Sequence, residues 1–431
     1  MSLALTSALA LGCPSTPGGD DDDDVAEGEG EPGEGEGEEG EGEGEGEGEV
    51  RWFRDVLPVA KQNCTVCHVV GGIGHFGMED LDAVVEHEDL IVDYVELGLM
   101  PPWMPAKDCG PDGAPHTYHG DRSLTDEEKL VFTRWREGGF VYGDPSEENG
   151  DEPAVIGLPR VDLALEPAQV YIPTDAAGAD DYHCFILDPA QATEKFVTGY
   201  DIVPGERAIV HHVLLFAVDR AAAQVHEDET PGFGWSCFGG PDVENGNGFP
   251  NTLGAWAPGT DATVFPAGTG IALSPDDVIV MQVHYNFAAI VGPAPADQSS
   301  VQLQLEDAVA NEALLVPVPN DDFSLPPGVE TTDTLVVPGL GRKIWGVMPH
   351  MHQLGQSISL KAASAGCIVD VPIWDFQWQQ SYFFKDVDFV QLGGLEQVTL
   401  SCTWFNPTAN TITWGEGTTD EMCLAYAYTT Q

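Results

Sequence analysis

The sequence predicts a multidomain chain: a small all-α domain followed by two all-β sandwich domains. Three observations carry that prediction. From Pro14 to Glu49 the chain is of low complexity, with almost no apolar surface to bury. From Val50 to about residue 146 the periodic segments are helical, and Thr125-Asp126-Glu127-Glu128 has the form of a capping box. Beyond residue 155, helical periodicity gives way to short apolar runs punctuated by Pro and Gly. Many short strands with turns between them pack as antiparallel sandwiches. A chain of 431 residues is long enough for two or three such domains, each with its own core.

Residues 3–12, Leu-Ala-Leu-Thr-Ser-Ala-Leu-Ala-Leu-Gly, form a short apolar run ending at Cys13. An apolar run closed by small residues reads as an export signal, and the Cys after Leu11-Gly12 resembles a bacterial lipoprotein processing site. Residues 1–13 are therefore expected to be the signal segment, with lipidation at Cys13. The pattern has two departures: no Lys or Arg precedes the run, and Ala10 stands where Leu is usual. A plain apolar tail is the competing reading. Residues 14–50 follow as a solvated, self-repelling acidic spacer, with five Asp and twelve Glu from Asp20 to Glu49 and no base. The formal charge of −56 excludes nucleic-acid binding through a basic surface.

In residues 51–146, the run Trp52 to Asn63 predicts a short helix leading into Cys64-Thr65-Val66-Cys67-His68. This spacing lets two thiols join haem vinyl groups while the next imidazole ligates the iron. A redox or zinc Cys pair is the alternative, although no second Cys pair lies nearby to complete a tetrahedral site. The other axial ligand of a c-type haem is usually a thioether. Met100 is the first candidate, Met104 the second, and Met78 and His75 follow. A further helix runs from Thr125, with Val131 and Trp135 on one face, to Gly138-Gly139. The segment thus resembles a small helical cytochrome c domain, in which His87, His116 and His119 are expected at the surface.

In the β-rich part, His350 and His352 lie two apart in Val347-Met348-Pro349-His350-Met351-His352, so on a strand both imidazoles face one side. Met422 lies in Asp420-Glu421-Met422-Cys423. Two imidazoles and a thioether suit copper, because the soft sulfur favours Cu(I) and the nitrogens accept either oxidation state. A second cluster lies upstream: His211-His212-Val213-Leu214-Leu215-Phe216, and Gln282-Val283-His284-Tyr285. Both runs read as apolar strands, where imidazoles are rare unless paired or ligated. Adjacent His211 and His212 face opposite sides of an ideal strand, so joint ligation requires a bulge or a strongly twisted strand end.

These four motifs, in this order, resemble the copper- and ascorbate-dependent monooxygenases, the family of peptidylglycine α-hydroxylating monooxygenase and dopamine β-monooxygenase. The resemblance covers residues 160 to 431. It implies two jelly-roll-like domains, over residues 155–310 and 311–431, with one copper in each. His211, His212 and His284 would hold the electron-donating copper, and His350, His352 and Met422 the copper where dioxygen is activated. Pairing of Cys184 with Cys237 and of Cys402 with Cys423 resembles the family's disulfides. Cys109 and Cys367 are left over, either free or joined across domains.

The reaction implied is hydroxylation of a C–H bond of a small organic substrate with O₂, in an exported protein of the bacterial periplasm or cell surface. Its cofactors would be two copper ions, haem c and a reductant, either ascorbate-like or a protein donor. A fused haem points to another exported redox protein as partner, and membrane contact is expected only through the lipid anchor. Gln282 matches the family's Gln, which orients substrate or makes an interior hydrogen bond; Tyr426 keeps an aromatic residue near the substrate. Peptide-acting members carry Arg where this chain has Met348, and Asn where it has Leu424. The resemblance therefore implies a neutral or amine-bearing substrate rather than a peptide carboxylate. The alternative from a different class is a non-catalytic haem and copper electron-transfer or copper-binding protein.

Overall fold

The computed structural model describes residues 48–431 apart from 71–73, 111–115, 149–156, 175–179, 244–250, 259, 288–289, 291, 364, 377, 386–388, 416 and 418. Cys13, the signal segment and nearly all of the acidic spacer lie outside the described residues.

The helical part begins with a π-turn at Trp52–Val56 that runs into α1, Leu57–Asn63, where Pro58 occupies the first turn. Helix α2, Leu81–Glu96, was not anticipated from the sequence. Asp80 caps it, and Val84, Ile91, Val92 and Val95 form its buried stripe. Helix α3, Asp126–Glu137, opens on the predicted capping box, in which Thr125 Oγ1 accepts the Glu128 N–H and Glu128 accepts the Thr125 N–H. It ends at Gly138. Phe132 and Trp135 from this helix pack on α2 and on Trp52, whose ring centre lies 5.0 Å from that of Trp135.

The stretch between α2 and α3 packs on the C-terminal sandwich. Met104 and Tyr118 are buried in that sandwich's core, and Cys67 and Trp103 pack against it. The Ala106 N–H donates to Asp370 O at 2.7 Å, and Cys109 is disulfide-bonded to Cys367. His116, expected at the surface, is buried with its ring centre 4.6 Å from that of Phe384, because this stretch is covered by the sandwich. His119 is exposed as expected, and His87 is half-buried and stacked on Phe76.

Beyond residue 160 the chain folds into two β-sandwiches, and among the described residues they share one sheet. That sheet runs Leu163–Leu165, Ser300–Glu306, Lys195–Val203, Thr269–Leu273, Asn311–Pro319, Leu424–Thr430, Lys343–His350, Tyr382–Phe383. The join is a parallel pairing of Thr269, Gly270 and Ile271 with Asn311, Glu312 and Ala313. A five-stranded sheet covers the first half, in the order Trp235–Ser236, Asp180–Leu187, Asp277–Asn286, Val210–Asp219, Asn251–Trp256. A four-stranded sheet covers the second, in the order Glu330–Pro338, Gln397–Phe405, Gly355–Ala362, Gly366–Val371. Alternation buries Val213, Leu215, Met281 and Val283 in the first core, and Ile358, Leu360, Val398 and Leu400 in the second. Among the described residues one helix, α4, Arg220–Glu229, interrupts the β-rich part; Asp219 caps it.

Both disulfides implied by the resemblance are formed, Cys184–Cys237 and Cys402–Cys423. Together with Cys109–Cys367 they indicate an oxidising, extracytoplasmic compartment.

Candidate metal centres

The first centre is built on two central strands of the five-stranded sheet. His284 lies on Asp277–Asn286, a strand buried along nearly its whole length, and His212 is its direct partner on Val210–Asp219. The ladder slips by one residue between Val210 and His212. This is the bulge that joint ligation requires, and it brings His211 to the same side as His212. The Nδ1 atom of His212 lies 3.3 Å from Nδ1 of His211 and 3.3 Å from Nδ1 of His284. Imidazole nitrogens bound about 2.0 Å from one ion in a trigonal array sit about 3.5 Å from one another. The three side chains are therefore already spaced for a shared metal.

The surroundings of this centre favour the neutral ligand form. Burial holds the His212 imidazolium far below its ordinary range, and the nearby His284, His211, His350 and His352 add to the effect. His284 is oriented by two contacts that the sequence did not reveal. Its Nε2–H donates to Asp180 Oδ1 at 2.9 Å, and its ring stacks on Tyr182 at 4.0 Å. Asp180 Oδ1 also accepts Asn286 Nδ2–H at 2.8 Å.

The second centre stands at the end of strand Lys343–His350. The strand stops at His350, so alternation orients that residue alone, and His352 is placed by the turn that follows. Nδ1–H of His350 donates to Gln379 Oε1 at 2.6 Å, and Nδ1–H of His352 donates to Asp420 O at 3.1 Å. This leaves Nε2 of His350 available for a metal. The rings are 5.2 Å apart, centre to centre. Burial, reinforced by His352, lowers the His350 pKa to about 4, and burial also lowers that of His352.

Met422 is buried beside Cys423, which the disulfide ties to Cys402. Glu421, fully buried, holds the two ligand-bearing segments together. Its carboxylate accepts the backbone N–H of His352 (3.1 Å), Leu354 (2.5 Å) and Met422 (3.3 Å), and the indole N–H of Trp404 (3.1 Å). Burial pushes this carboxyl up to about 7 against the pull of those donors.

Imidazoles from both sets line one cavity of about 390 Å³. His211, His212, His350, His352 and Met422 all line it, as do Gln282 and Tyr426. Gln282 is anchored by its Nε2–H, which donates to Cys237 O at 2.5 Å. Phe376 stands between the centres, its ring 6.0 Å from that of His211 and 6.2 Å from that of His352. Among the described lining residues Asp321 alone carries a formal charge, and Trp256, Trp414 and Met348 give an apolar wall.

The Cys-x-x-Cys-His motif lies apart from this cavity. Cys64 and Cys67 are free thiols, whereas Cys109, Cys184, Cys237, Cys367, Cys402 and Cys423 are paired. His68 Nδ1–H donates to Phe76 O at 3.1 Å, which leaves Nε2 available, and burial keeps the ring neutral by lowering its pKa. This donor set fits covalent attachment of a haem with an imidazole on its iron. Of the thioethers proposed for the opposite side, Met104 is committed elsewhere: it is buried in the C-terminal core and its Sδ accepts the Asp375 N–H at 3.3 Å. Met100 is half-buried, and Met78 lies in the helical core.

Asp180, Tyr182, Gln379 and Phe376 were missed in the sequence because none stands in a spacing pattern with the residue it contacts. Glu421 adjoins Met422 in the sequence, but that adjacency does not show that its carboxylate reaches His352, Leu354 and Trp404.

Two family models match the chain. One is copper type II ascorbate-dependent monooxygenase, N-terminal domain, over residues 164–290; the other is the C-terminal domain of the same family, over residues 309–429. Together they cover more than half of the chain. Tyramine beta-hydroxylase of Caenorhabditis briggsae is 22% identical over 338 residues, which is 72% of this chain and 55% of that protein. The chain thus spans about half the length of this curated relative. Among solved structures, the major capsid protein P2 of bacteriophage PM2 aligns with 62% of this chain and 97% of its own, at 10% identity and a TM-score of 0.26. Paenibacillus xanthan lyase aligns with 67% and 28%, at 11% identity and a TM-score of 0.16. Likenesses this slight carry no argument.

Proposed function

Because the chain belongs to the copper type II ascorbate-dependent monooxygenase family, we propose that it hydroxylates a C–H bond of a small organic molecule with O₂ in the cavity between two copper centres. His211, His212 and His284 would hold one copper, and His350, His352 and Met422 the other. The observation that carries this reading is that ligands from both sets line a single cavity. When bound, the two coppers would supply one electron each, so that one oxygen atom enters the substrate and the other leaves as water.

The protein's own contribution is ligand spacing, exclusion of water and orientation of substrate. Gln282 and Tyr426 are the polar groups proposed to orient it. An aromatic, largely apolar wall with Asp321 as its one charge suits a neutral or amine-bearing molecule. A carboxylate-bearing peptide would meet no Lys or Arg among the described lining residues.

Cys64, Cys67, His68 and Met100 would hold a haem, whose chemistry would be one-electron supply from an exported redox partner. Export of the mature chain with a lipid on Cys13 belongs to the same reading.

The test is copper and covalent haem per chain on protein matured in an exporting host, followed by reductant-dependent product formation from small aromatic amines. Two coppers, falling to one in Met422→Ala, with product formed, support the proposal. Two coppers with no product from any reductant would instead favour a copper-holding protein, and absence of bound copper would end both readings.

A further inference from the structure

The two centres differ in what stands behind their imidazoles. At the first, His284 Nε2–H donates to a carboxylate, Asp180 Oδ1, at 2.9 Å. At the second, His350 is backed by the neutral amide oxygen of Gln379 at 2.6 Å, and His352 by the Asp420 carbonyl at 3.1 Å. A carboxylate that accepts the remote N–H of an imidazole draws the proton toward itself and makes the opposite nitrogen a stronger donor. Stronger donation stabilises Cu(II) relative to Cu(I). Neutral acceptors do this much less, and the thioether of Met422 works the other way by favouring Cu(I).

The Asp180 contact is built into the fold. His284 is 2% exposed and held between the Tyr182 ring and its strand neighbours, while the Asp180 side chain is 23% exposed. Asn286, two residues beyond His284, donates Nδ2–H to the same Oδ1 and fixes the carboxylate. Asp180 and Asn286 are also direct register partners at the ends of their paired strands. A rotation of the Asp180 side chain would break both hydrogen bonds at once.

We propose that Asp180 is a positioning residue that lowers the reduction potential of the three-histidine centre, and that its contrast with Gln379 sets the direction of electron movement between the centres. One electron leaves the first centre, which goes from Cu(I) to Cu(II), and enters the second, which goes from Cu(II) to Cu(I). No other oxidant or reductant is consumed in that exchange. The inference rests on the two-copper reading above.

The experiment is a redox titration of the copper-loaded full chain, followed by electron paramagnetic resonance, with the first centre's signal identified in Met422→Ala. Asp180→Asn keeps the shape and replaces the charged acceptor by a neutral one. It is expected to weaken Cu(II) relative to Cu(I) at the first centre about tenfold, a rise of ~59 mV for a one-electron couple. Asp180→Glu, which restores a carboxylate, is expected to recover at least part of the shift. Gln379→Glu is the converse change and is expected to lower the potential of the second centre. A merely structural role would change copper stoichiometry or thermal stability without this opposed pair of shifts.

An Asp180→Asn chain that holds two coppers at an unchanged first-centre potential would overturn the inference alone. If Asp180→Asn does not retain copper at that centre, Gln379→Glu decides: a lowered second-centre potential supports the inference and an unmoved one overturns it. A wild-type chain without two coppers would remove the functional reading itself.

Discussion

The Met104 thioether accepts the backbone N–H of Asp375 at 3.3 Å, although 271 residues separate the two in sequence. Asp375 lies between Trp374, whose indole N–H donates to His352 O at 3.2 Å, and Phe376, which faces both His211 and His352. The segment that follows the Cys-x-x-Cys-His motif thus reaches the turn that backs the second centre. Met104→Ala is expected to cost about 2–5 kcal/mol, as for other buried Met truncations. Met104→Leu conserves volume and should cost less than about 1.5 kcal/mol. Denaturant unfolding of the two variants measures the difference, and equal losses would show that packing volume is not what this contact contributes.

Glu421→Gln tests the carboxylate that ties His352 to Met422. The amide offers one acceptor oxygen to four N–H groups and turns two hydrogens toward them. Copper affinity at the second centre should fall about 10–100-fold, the usual range for an outer-shell partner, while the first centre is unaffected. Competition with a chelator, read per centre, gives the answer. Equal weakening at both centres would mean that the whole fold has loosened.

Removing the Cys402–Cys423 bridge with a double Ser variant should lower stability by about 3 kcal/mol, the value expected for closing a loop of roughly 20 residues. Because Cys423 adjoins Met422, the variant should also lose the copper–thioether contribution in X-ray absorption before it loses its imidazoles. Intact sulfur scattering in the reduced variant would show that Glu421 alone holds Met422 in place.

His183 makes the fold sensitive to acid. Burial lowers its pKa from the ordinary 6.5, its Nε2–H donates to Phe233 O at 2.8 Å, and its ring stacks on Tyr171 at 4.0 Å. As pH falls through 6.5, the unfolded chain takes up a proton that the folded chain resists, so stability drops progressively toward the lowered folded value. His183→Gln keeps an N–H for Phe233 O and does not titrate. The melting temperature of wild type should therefore fall more steeply than that of the variant between pH 7 and pH 5 at equal copper loading. Parallel curves would assign the acid sensitivity to other groups.

Much of the candidate site was legible because its residues sit in short, spaced motifs. His211-His212, Gln282-x-His284, His350-x-His352 and Met422 could be read in order, and strand alternation alone called for either a bulge or a strongly twisted strand end at His211, of which the structure has the bulge. The capping box at Thr125 was read for the same reason: its parts are three residues apart. What stayed hidden depends on distant pairing. Asp180 meets His284 across 104 residues, and Gln379 meets His350 across 29. Helix α2 was missed although Asp80 caps it, because the exposed apolar Leu81, Val85, Leu90 and Tyr94 blur the buried stripe of Val84, Ile91, Val92 and Val95. Helix α4 has a single buried residue, Ala223, and so leaves almost no apolar pattern to read. The pairing of Cys109 with Cys367, left open by the sequence, is decided by the packing of Trp103, Met104 and Tyr118 on the C-terminal sandwich.

The sheet shared by the two sandwiches has a mechanical consequence. Where two domains meet through a linker, a cleft between them can widen or narrow by a hinge. Here a backbone ladder passes from Thr269–Leu273 to Asn311–Pro319, so moving one half against the other means breaking main-chain hydrogen bonds or bending a continuous sheet. The span between His212 and His350 is thereby set by the backbone, as a caliper is set by its frame. Entry to the cavity then falls to side chains at its wall, with the frame itself held still.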